Sequence, residues 1–268
     1  MKTAQLIYVL GDLHGDWDTL NTFINKKLRQ SREFRACASS YDEMEVLMLQ
    51  AGDFGYWPHK HGKKDMNGKG TPWDQYGIKN AVPGIKGGRV KIYWCDGNHE
   101  NHDALDGLEE RNLGGPFIPI MDGVYYAPFG SVLELLDSTR VMFCGGAESI
   151  DKFWRIPGES WWEQEGIDQK DMARLPCPEH SDIDWIISHT CPSLFKLGKL
   201  GHSAKEKDAS KGRLDEIFKI FKPTRWWFGH YHSYLQGRHK NCLWTALDGS
   251  RSGKRWAEAL PLLERKYA

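Results

Sequence analysis

The chain has 268 residues, 40% of them hydrophobic, which is enough to bury a sizeable core. Its 36 Lys and Arg residues balance 36 Asp and Glu residues, so the overall charge attracts neither nucleic acid nor an acidic membrane surface. No apolar stretch is long enough for a membrane span, no secretory leader precedes the first apolar run, and the six cysteines are scattered. We therefore expect a soluble cytoplasmic protein with reduced thiols and no membrane association.

Six short apolar runs predict buried β-strands, because each run ends at glycine or polar residues. In chain order they are Leu6–Leu10, Val46–Leu49, Val90–Cys95, Val141–Cys144, Ile183–Ile187 and Trp226–Phe228. Apolar residues at helical spacing predict helices over Trp17–Arg29 and Gly212–Phe221, and Pro223 prevents continuation of the second. Strands that alternate with helices predict an α/β fold, which we expect to form a single domain over residues 1–268.

Two segments show neither helical nor strand periodicity. Residues Tyr56–Gly88 are rich in Gly, Lys and Pro and predict a long loop insertion after the second strand. Trp57 and Trp73 in this loop are candidates for one wall of a substrate pocket. Residues Leu197–Lys211 form a second polar segment that is rich in lysine.

Residues that can bind metal ions follow the predicted strands directly. They are Asp12 and His14 after the first strand, Asp53 after the second, Asn98 and His99 after the third, His189 after the fifth, and His230 and His232 after the sixth. Taken singly, Asp-x-His and Gly-Asp are weak signals, because Asp also caps helices and forms turns. In open α/β sheets, however, ligands bind beyond the carboxyl ends of strands, so we expect these side chains to share one site.

The ordered set resembles the signature of the calcineurin-like metallophosphoesterase superfamily, which reads D-x-H, G-D, G-N-H-[D/E], H and G-H-x-H. The chain supplies Gly11-Asp12-Leu13-His14-Gly15, Gly52-Asp53, Gly97-Asn98-His99-Glu100, His189 and Gly229-His230-Tyr231-His232. The resemblance extends from Gly11 to His232 and is specific to the superfamily but not to a substrate. It implies a four-layer α/β/β/α sandwich of two mixed β-sheets flanked by helices.

The resemblance also implies two divalent metal ions. Asp12, His14 and His232 would hold the first ion. Asn98, His189 and His230 would hold the second, and Asp53 would bridge the two. His99 would lie outside both ligand sets as the catalytic residue that protonates the leaving oxygen or stabilises its charge, and Asn98 would also contact the substrate. Oxygen ligands mixed with imidazoles suit Mn, Fe, Zn or Ni, of which Mn is the leading expectation.

The implied reaction is hydrolysis of a phosphomonoester or a small nucleotide-like phosphodiester by hydroxide that bridges the two ions. Two divalent ions carry more positive charge than Asp12 and Asp53 cancel, so the site would attract a phosphate ester of a small molecule. Metal coordination lowers the pKa of water to roughly 7, which makes hydroxide available at neutral pH.

A further segment, Gly145–Arg155, resembles a G-G-A-x-S-x-D-x-x-x-R pattern in uncharacterised bacterial and phage members of the superfamily. Arg155 is a candidate substrate-binding residue, because a guanidinium fits a phosphate with two hydrogen bonds. Equally, Arg155 is spaced to form a surface ion pair with Asp151, four residues earlier.

Three alternatives are less favoured. The protein serine/threonine phosphatase branch continues Gly-Asp as G-D-x-x-D-R-G, whereas Gly52–Pro58 contains no arginine. A nuclease would need a basic track, for which Lys196, Lys199, Lys205, Lys207, Lys211 and Arg213 are candidates. Glu206 and Asp208 dilute that charge, so a solvated loop is the preferred interpretation. A non-catalytic protein-binding scaffold is disfavoured because every expected ligand and His99 are present.

Overall fold

A computed structural model describes residues 4–28, 30–31, 34–35, 44–57, 90–112, 115–198, 208–251, 254–261 and 263–264. In this part of the chain the strands form two mixed β-sheets. The predicted loop insertion lies outside the described residues apart from Tyr56 and Trp57, and so does the part of Leu197–Lys211 at positions 199–207. The single-domain assignment stays a prediction.

The first sheet has the strand order β12-β1-β2-β3-β5-β4, and β13 also pairs with β1. Its strands are β1 (Ala4–Leu10), β2 (Met44–Gln50), β3 (Val90–Trp94), β4 (Ile118–Met121), β5 (Val124–Tyr126), β12 (Ala257–Ala259) and β13 (Leu263–Glu264). Neighbours from β1 to β5 are parallel, whereas β4, β12 and β13 pair antiparallel at the edges.

The second sheet has the order β10-β11-β9-β8-β7-β6. Its strands are β6 (Val132–Glu134), β7 (Arg140–Cys144), β8 (Trp185–Ser188), β9 (Arg225–Phe228), β10 (Leu235–His239) and β11 (Cys242–Ala246). The central neighbours β7, β8, β9 and β11 are parallel, and β6 and β10 pair antiparallel at the two edges.

Helices cover the outer faces of the sheets. They are α1 (Trp17–Thr22), which continues as a π-helix over Phe23–Leu28, α2 (His102–Arg111), α3 (Gln169–Met172) and α4 (Ala209–Phe221). Short 3₁₀ turns occur at Lys152–Trp154, Glu163–Glu165 and Pro178–His180. In the residues described, no helix is both long enough and apolar enough to span a membrane.

Alternating side chains along the strands produce the layers. In β1, Leu6, Tyr8 and Leu10 face a core formed with α1 and α2. Ile7 and Val9 point the other way, into an apolar layer shared with β7 to β9 of the second sheet. The outer face of that sheet packs on α4. Three apolar layers therefore separate four structural layers, and the predicted α/β/β/α sandwich is confirmed.

The predicted strands all occur, with shifted ends. The fifth begins at Trp185 rather than Ile183, and the helix predicted to begin at Gly212 begins at Ala209. Asp208 caps that helix, because its side chain accepts the Ser210 N–H at 2.8 Å. The missed elements are α2, the four-residue helix α3, and the strands β4, β5, β6 and β10 to β13. These strands have only two to five residues and carry little periodic signal.

We expect Phe143→Ala to lower the free energy of unfolding by about 3–5 kcal/mol, because the ring is fully buried in the layer between the sheets. Phe153→Ala is the matched control, since that ring is 85% exposed, and its effect should stay within about 0.5 kcal/mol. Urea unfolding followed by circular dichroism measures both. Equal losses in the two variants would contradict the assignment of Phe143 to the central layer.

Candidate metal centre

The predicted site residues lie together where the parallel strands of both sheets end. Asp12 and Asp53 follow β1 and β2 of the first sheet, and Asn98 follows β3. His189 directly follows β8 of the second sheet, and His230 follows β9. The two sheets thus present their carboxyl ends to a common site, as α/β sheets do for their ligands.

A first group of donor atoms comes from Asp12, His14, Asp53 and His232, all within 4.8 Å of one another. His232 Nε2 lies 2.9 Å from Asp12 Oδ2 and 3.0 Å from His14 Nε2. His14 Nε2 in turn lies 3.5 Å from Asp53 Oδ2. The carboxylates are buried, whereas His232 is exposed, so this group opens to solvent on the histidine side.

A second group comes from Asn98, His189 and His230 together with Asp53. Asn98 Oδ1 lies 2.9 Å from His189 Nε2 and 3.1 Å from His230 Nδ1. His189 Nε2 lies 3.4 Å from Asp53 Oδ2. Asn98 and His189 are buried, so this group lies deeper than the first.

Asp53 belongs to both groups through one oxygen. Its Oδ2 lies 3.5 Å from His14 Nε2 and 3.4 Å from His189 Nε2. The other oxygen, Oδ1, accepts the backbone N–H of His99 at 2.9 Å. That hydrogen bond fixes the carboxylate with Oδ2 directed between the two groups.

Metal ions fit this set of donors. Donors bound to one ion at about 2.1 Å lie roughly 3 to 3.5 Å from their neighbours, which matches the observed spacings. Among the described residues, the recorded ion-pair partners of buried Asp12 and Asp53 are histidines only. Buried carboxylates need a balancing charge, and in this site a divalent cation would supply it.

The charges inside the site are strongly coupled to one another. Burial would raise the pKa of Asp53, but His189, His99 and His14 hold it well below the usual value. Burial would lower the pKa of His189, but Asp53 and Asp12 raise it to about 10. A proton on His189 therefore balances the carboxylates when no cation is bound.

Four of the seven predicted ligands have left-handed backbone conformations. The φ angles are 47° at His14, 53° at Asp53, 67° at His230 and 45° at His232. Such conformations are unfavourable for residues other than glycine and are concentrated at functional sites. The sequence motifs do not reveal these strained conformations, which the packing of the surrounding sheets maintains.

Two of the motif glycines allow close packing of ligands from other motifs. A Cβ at Gly229 would overlap Asp12 Oδ1, and a Cβ at Gly97 would overlap Asp53 Oδ1. Asp12 Oδ1 uses this space to accept the backbone N–H of His230 at 3.1 Å. The glycines of G-N-H and G-H-x-H are therefore required by carboxylates that lie far away in the chain.

Hydrogen bonds from outside the two groups orient the donors. His189 Nδ1 donates to the Ala51 carbonyl at 2.9 Å, so Nε2 faces the site and can bind a cation once it has lost its proton. Buried Glu100 accepts the N–H groups of Gly55 at 2.8 Å and Gly97 at 2.6 Å. Glu100 thus holds together the loops that carry Asp53 and Asn98, a role that sequence reasoning did not identify.

His99 lies at the edge of the site with Arg155 beside it. The rings of His99 and His14 are 5.0 Å apart, and His99 Nε2 lies 2.9 Å from Arg155 Nη2. Burial lowers the pKa of His99 to about 4, and the charge of Arg155 contributes to this shift. An imidazole that accepts at Nε2 is neutral and carries its proton at Nδ1.

Arg155 forms the ion pair with Asp151, at 2.7 Å, but this pair is not on the surface as the spacing had suggested, because the arginine side chain is only 1% exposed. Its Nη1 also donates to the Asn98 carbonyl at 3.2 Å and lies 3.6 Å from Glu165 Oε1. The guanidinium is therefore held by protein groups on several sides. Its role as a phosphate ligand stays a prediction.

Comparison with known proteins finds a family that matches the chain. A family model for calcineurin-like phosphoesterases matches residues 6–234 of the chain. No curated protein sequence matches it.

Three solved structures are similar in fold. The phosphopantetheinyl hydrolase of Mycobacterium tuberculosis is 13% identical, with 97% of each chain covered and a TM-score of 0.48. A candidate 5′-nucleotidase of Staphylococcus aureus, in complex with alpha-ketoglutarate, is 17% identical over 92% of this chain and 49% of its own, with a TM-score of 0.46. GAP50, the anchor in the inner membrane complex of Plasmodium, is 9% identical over 98% of this chain and 79% of its own, with a TM-score of 0.47.

We expect Gly229→Ala to weaken binding of Mn²⁺ at least about 10-fold, because the added methyl displaces the Asp12 carboxylate. Titration calorimetry of Mn²⁺ into chelator-treated protein measures the change. Gly212→Ala is the control, since nothing lies within 4 Å of its added methyl. It lies inside α4, so the control should keep its Mn²⁺ affinity and gain about 0.5–1 kcal/mol of stability. Equal Mn²⁺ affinity in both variants would contradict the role of Gly229.

Proposed function

The chain belongs to the calcineurin-like phosphoesterase family, and from this premise we propose that it hydrolyses a small phosphomonoester or a nucleotide-like phosphodiester with two divalent metal ions. The position of Asp53 Oδ2, 3.5 Å from His14 and 3.4 Å from His189, is the observation that carries the proposal. One buried carboxylate oxygen common to two groups of donors is what two neighbouring cations require.

In this proposal each group of donors holds one ion. Asp12, His14 and His232 bind the first ion, Asn98, His189 and His230 bind the second, and Asp53 contributes to both. When bound, the ions supply Lewis acidity toward phosphate oxygens and lower the pKa of water. Mn²⁺ suits the mixture of carboxylate, amide and imidazole donors, with Fe, Zn and Ni as alternatives.

The protein groups at the edge of the site act on the substrate. We assign to His99 the hydrogen bond to the leaving oxygen, donated from Nδ1, because Arg155 already donates to its Nε2. Asn98 is also a candidate for contact with the phosphate, because its side chain lies where the second ion would bind. Arg155 remains the candidate for binding the phosphate, supported by its contact with His99 at 2.9 Å.

The organic part of the substrate has a candidate binding surface next to Arg155. In the described part of the chain, four of the six exposed large apolar side chains belong to Ile150, Phe153, Trp154 and Ile156. Phe153 and Trp154 are 85% and 87% exposed, and Arg155, the next residue, contacts His99. Aromatic side chains stack on nucleobases, so we favour a substrate with an aromatic or nucleoside leaving group.

The nuclease alternative receives less support from the described residues. Lys211 of the candidate basic track is buried, with its ammonium 5.6 Å from the centre of the Tyr231 ring. Arg213 lies 3.6 Å from Glu216. Lys199, Lys205 and Lys207 lie outside the described residues.

A cytoplasmic location is part of the proposal, supported by five described cysteines that form no disulfide.

We expect chelator treatment to abolish phosphate-ester hydrolysis and added Mn²⁺ to restore it. Asp53→Asn should lower kcat/KM at least about 100-fold, because it removes the charge common to both groups of donors. Asp122→Asn is the matched control and should retain full activity, because this exposed carboxylate lies between β4 and β5, at the amino end of β5, opposite the strand ends that carry the site. The substrates are para-nitrophenyl phosphate, its bis ester, cyclic nucleotides, dinucleoside polyphosphates and single-stranded DNA. Full activity in purified Asp53→Asn protein would reject the proposed site.

We expect the double variant Phe153→Ala/Trp154→Ala to lose about 10-fold or more in kcat/KM toward a nucleoside monophosphate, because stacking contributes about 1–3 kcal/mol per base. Its kcat/KM toward glycerol phosphate, which has no ring, should change by less than about twofold. Ile220→Ala/Leu243→Ala removes two exposed apolar side chains elsewhere and serves as the control. Equal losses on both substrates would rule out a base-stacking role.

A further inference from the structure

Asn98 presents a problem that the carboxylate and imidazole donors do not share. The two ends of its amide have nearly the same shape, but only the oxygen can bind a metal ion. In the observed orientation Oδ1 lies 2.9 Å from His189 Nε2 and 3.1 Å from His230 Nδ1. A rotation of the amide by half a turn would place an NH₂ group there instead and remove one donor from the second group.

We infer that Glu165, acting through Ser149, fixes the amide of Asn98 with its oxygen toward the second ion. This inference rests on the proposed metal-dependent function. Asn98 Nδ2 donates to Ser149 Oγ at 3.0 Å. Ser149 Oγ in turn donates to Glu165 Oε2. All three residues are buried, so solvent does not compete for these hydrogen bonds.

The direction of these two hydrogen bonds follows from the number of protons available. An ionised carboxylate can only accept, so the single hydroxyl proton of Ser149 is directed at Glu165. Ser149 Oγ has only lone pairs left for Asn98, and the amide must therefore turn its NH₂ toward Ser149. The amide oxygen is left facing His189 and His230. A charge on Glu165 thereby sets which end of Asn98 faces the ion.

Glu165 is itself held firmly. Its Oε1 lies 3.6 Å from Arg155 Nη1 and 3.4 Å from the Trp162 N–H. Its backbone carbonyl accepts the Ala147 N–H at 2.8 Å, which ties the Glu163–Glu165 turn to the loop carrying Ser149. Arg155 closes the network by donating to the Asn98 carbonyl at 3.2 Å. Ser149 and Arg155 of the G-G-A-x-S-x-D-x-x-x-R segment therefore belong to one buried network around Asn98 and His99, and half-buried Asp151 pairs with Arg155 at its edge.

Glu165 and Ser149 are positioning residues, since neither belongs to either group of donors. Glu165→Gln keeps the shape of the side chain but offers an NH₂ group, which frees the Ser149 proton to bind a rotated Asn98 oxygen. We expect the second equivalent of Mn²⁺ to bind about 10- to 100-fold more weakly, the usual effect of losing an outer hydrogen bond at a metal site. The first equivalent should bind as in the unaltered protein.

Titration calorimetry of Mn²⁺ into the chelator-treated full chain, with the free Mn²⁺ signal followed by electron paramagnetic resonance, separates the two equivalents. The measurements are made at pH 8, because burial raises the pKa of Glu165 to about 7 and the residue must be ionised. Ser149→Ala should act in the same direction as Glu165→Gln. Glu163→Gln, in the same turn but exposed, is the matched control and should bind both equivalents normally.

Repeating the test in a protein that carries Asn98→Asp makes it specific to the orientation of the amide. Asn98→Asp has two equivalent oxygens, so it has no orientation to choose. In Asn98→Asp protein, Glu165→Gln frees the Ser149 proton for the new carboxylate oxygen, so the added change should not weaken binding of the second Mn²⁺. An equal loss in both backgrounds, or equal weakening of both Mn²⁺ equivalents, would overturn the inference and indicate a general structural effect.

The outcomes also separate this inference from the proposed function. If the unaltered chain binds two Mn²⁺ ions and hydrolyses phosphate esters while Glu165→Gln and Ser149→Ala bind both ions normally, only the orienting role fails. If the unaltered chain binds no second ion, the two-metal proposal fails and the orienting role with it. Thermal unfolding in the presence of chelator identifies any variant whose fold is damaged.

Discussion

The site depends on a negative charge that the fold keeps ionised in its interior, the carboxylate of Asp53. One of its oxygens is held by the His99 N–H, and the other faces donors from both sheets. A buried carboxylate is unfavourable unless cations or hydrogen-bond donors surround it. Strands of both sheets have their carboxyl ends near Asp53. The loop that follows each strand contributes groups that balance its negative charge. The packing of the two sheets and the chemistry of the centre are therefore linked.

The loops around this carboxylate adopt unfavourable backbone conformations. His14, Asp53, His230 and His232 all adopt left-handed backbone conformations, which isolated loops would avoid. The three apolar layers of the sandwich supply the stability that such strain requires, because they fix both ends of each strand that leads into a loop. The stability of the core thus offsets the unfavourable backbone conformations of these donors.

The segment after β7 combines two kinds of residue that face in different directions. Ser149 and Arg155 point inward and join the buried network around Asn98 and His99. Phe153 and Trp154 lie between them in sequence and are exposed to solvent. A short 3₁₀ turn over Lys152–Trp154 allows this separation, since its side chains project outward while Arg155, the next residue, is buried. One segment can therefore link the orientation of the donors to recognition of the substrate.

The sequence determined the parts of this protein that depend on neighbouring residues. Each predicted donor directly follows an apolar run, so the strand and its metal-binding residue could be identified together, and the order of motifs indicated the family and the sandwich. The short strands, α2 and α3 were missed because their local patterns are weak and their stability comes from the elements on which they pack.

Only the tertiary structure decided how the donors are held. His14 and His232 are 218 residues apart, Gly55 and Glu100 are 45 apart, and Ser149 and Glu165 are 16 apart. The left-handed backbone, the burial of Arg155 and the direction of the Asn98 amide all follow from such long-range contacts. A hydrogen bond between distant residues leaves no periodic trace in a sequence, because its geometry exists only after the chain has folded.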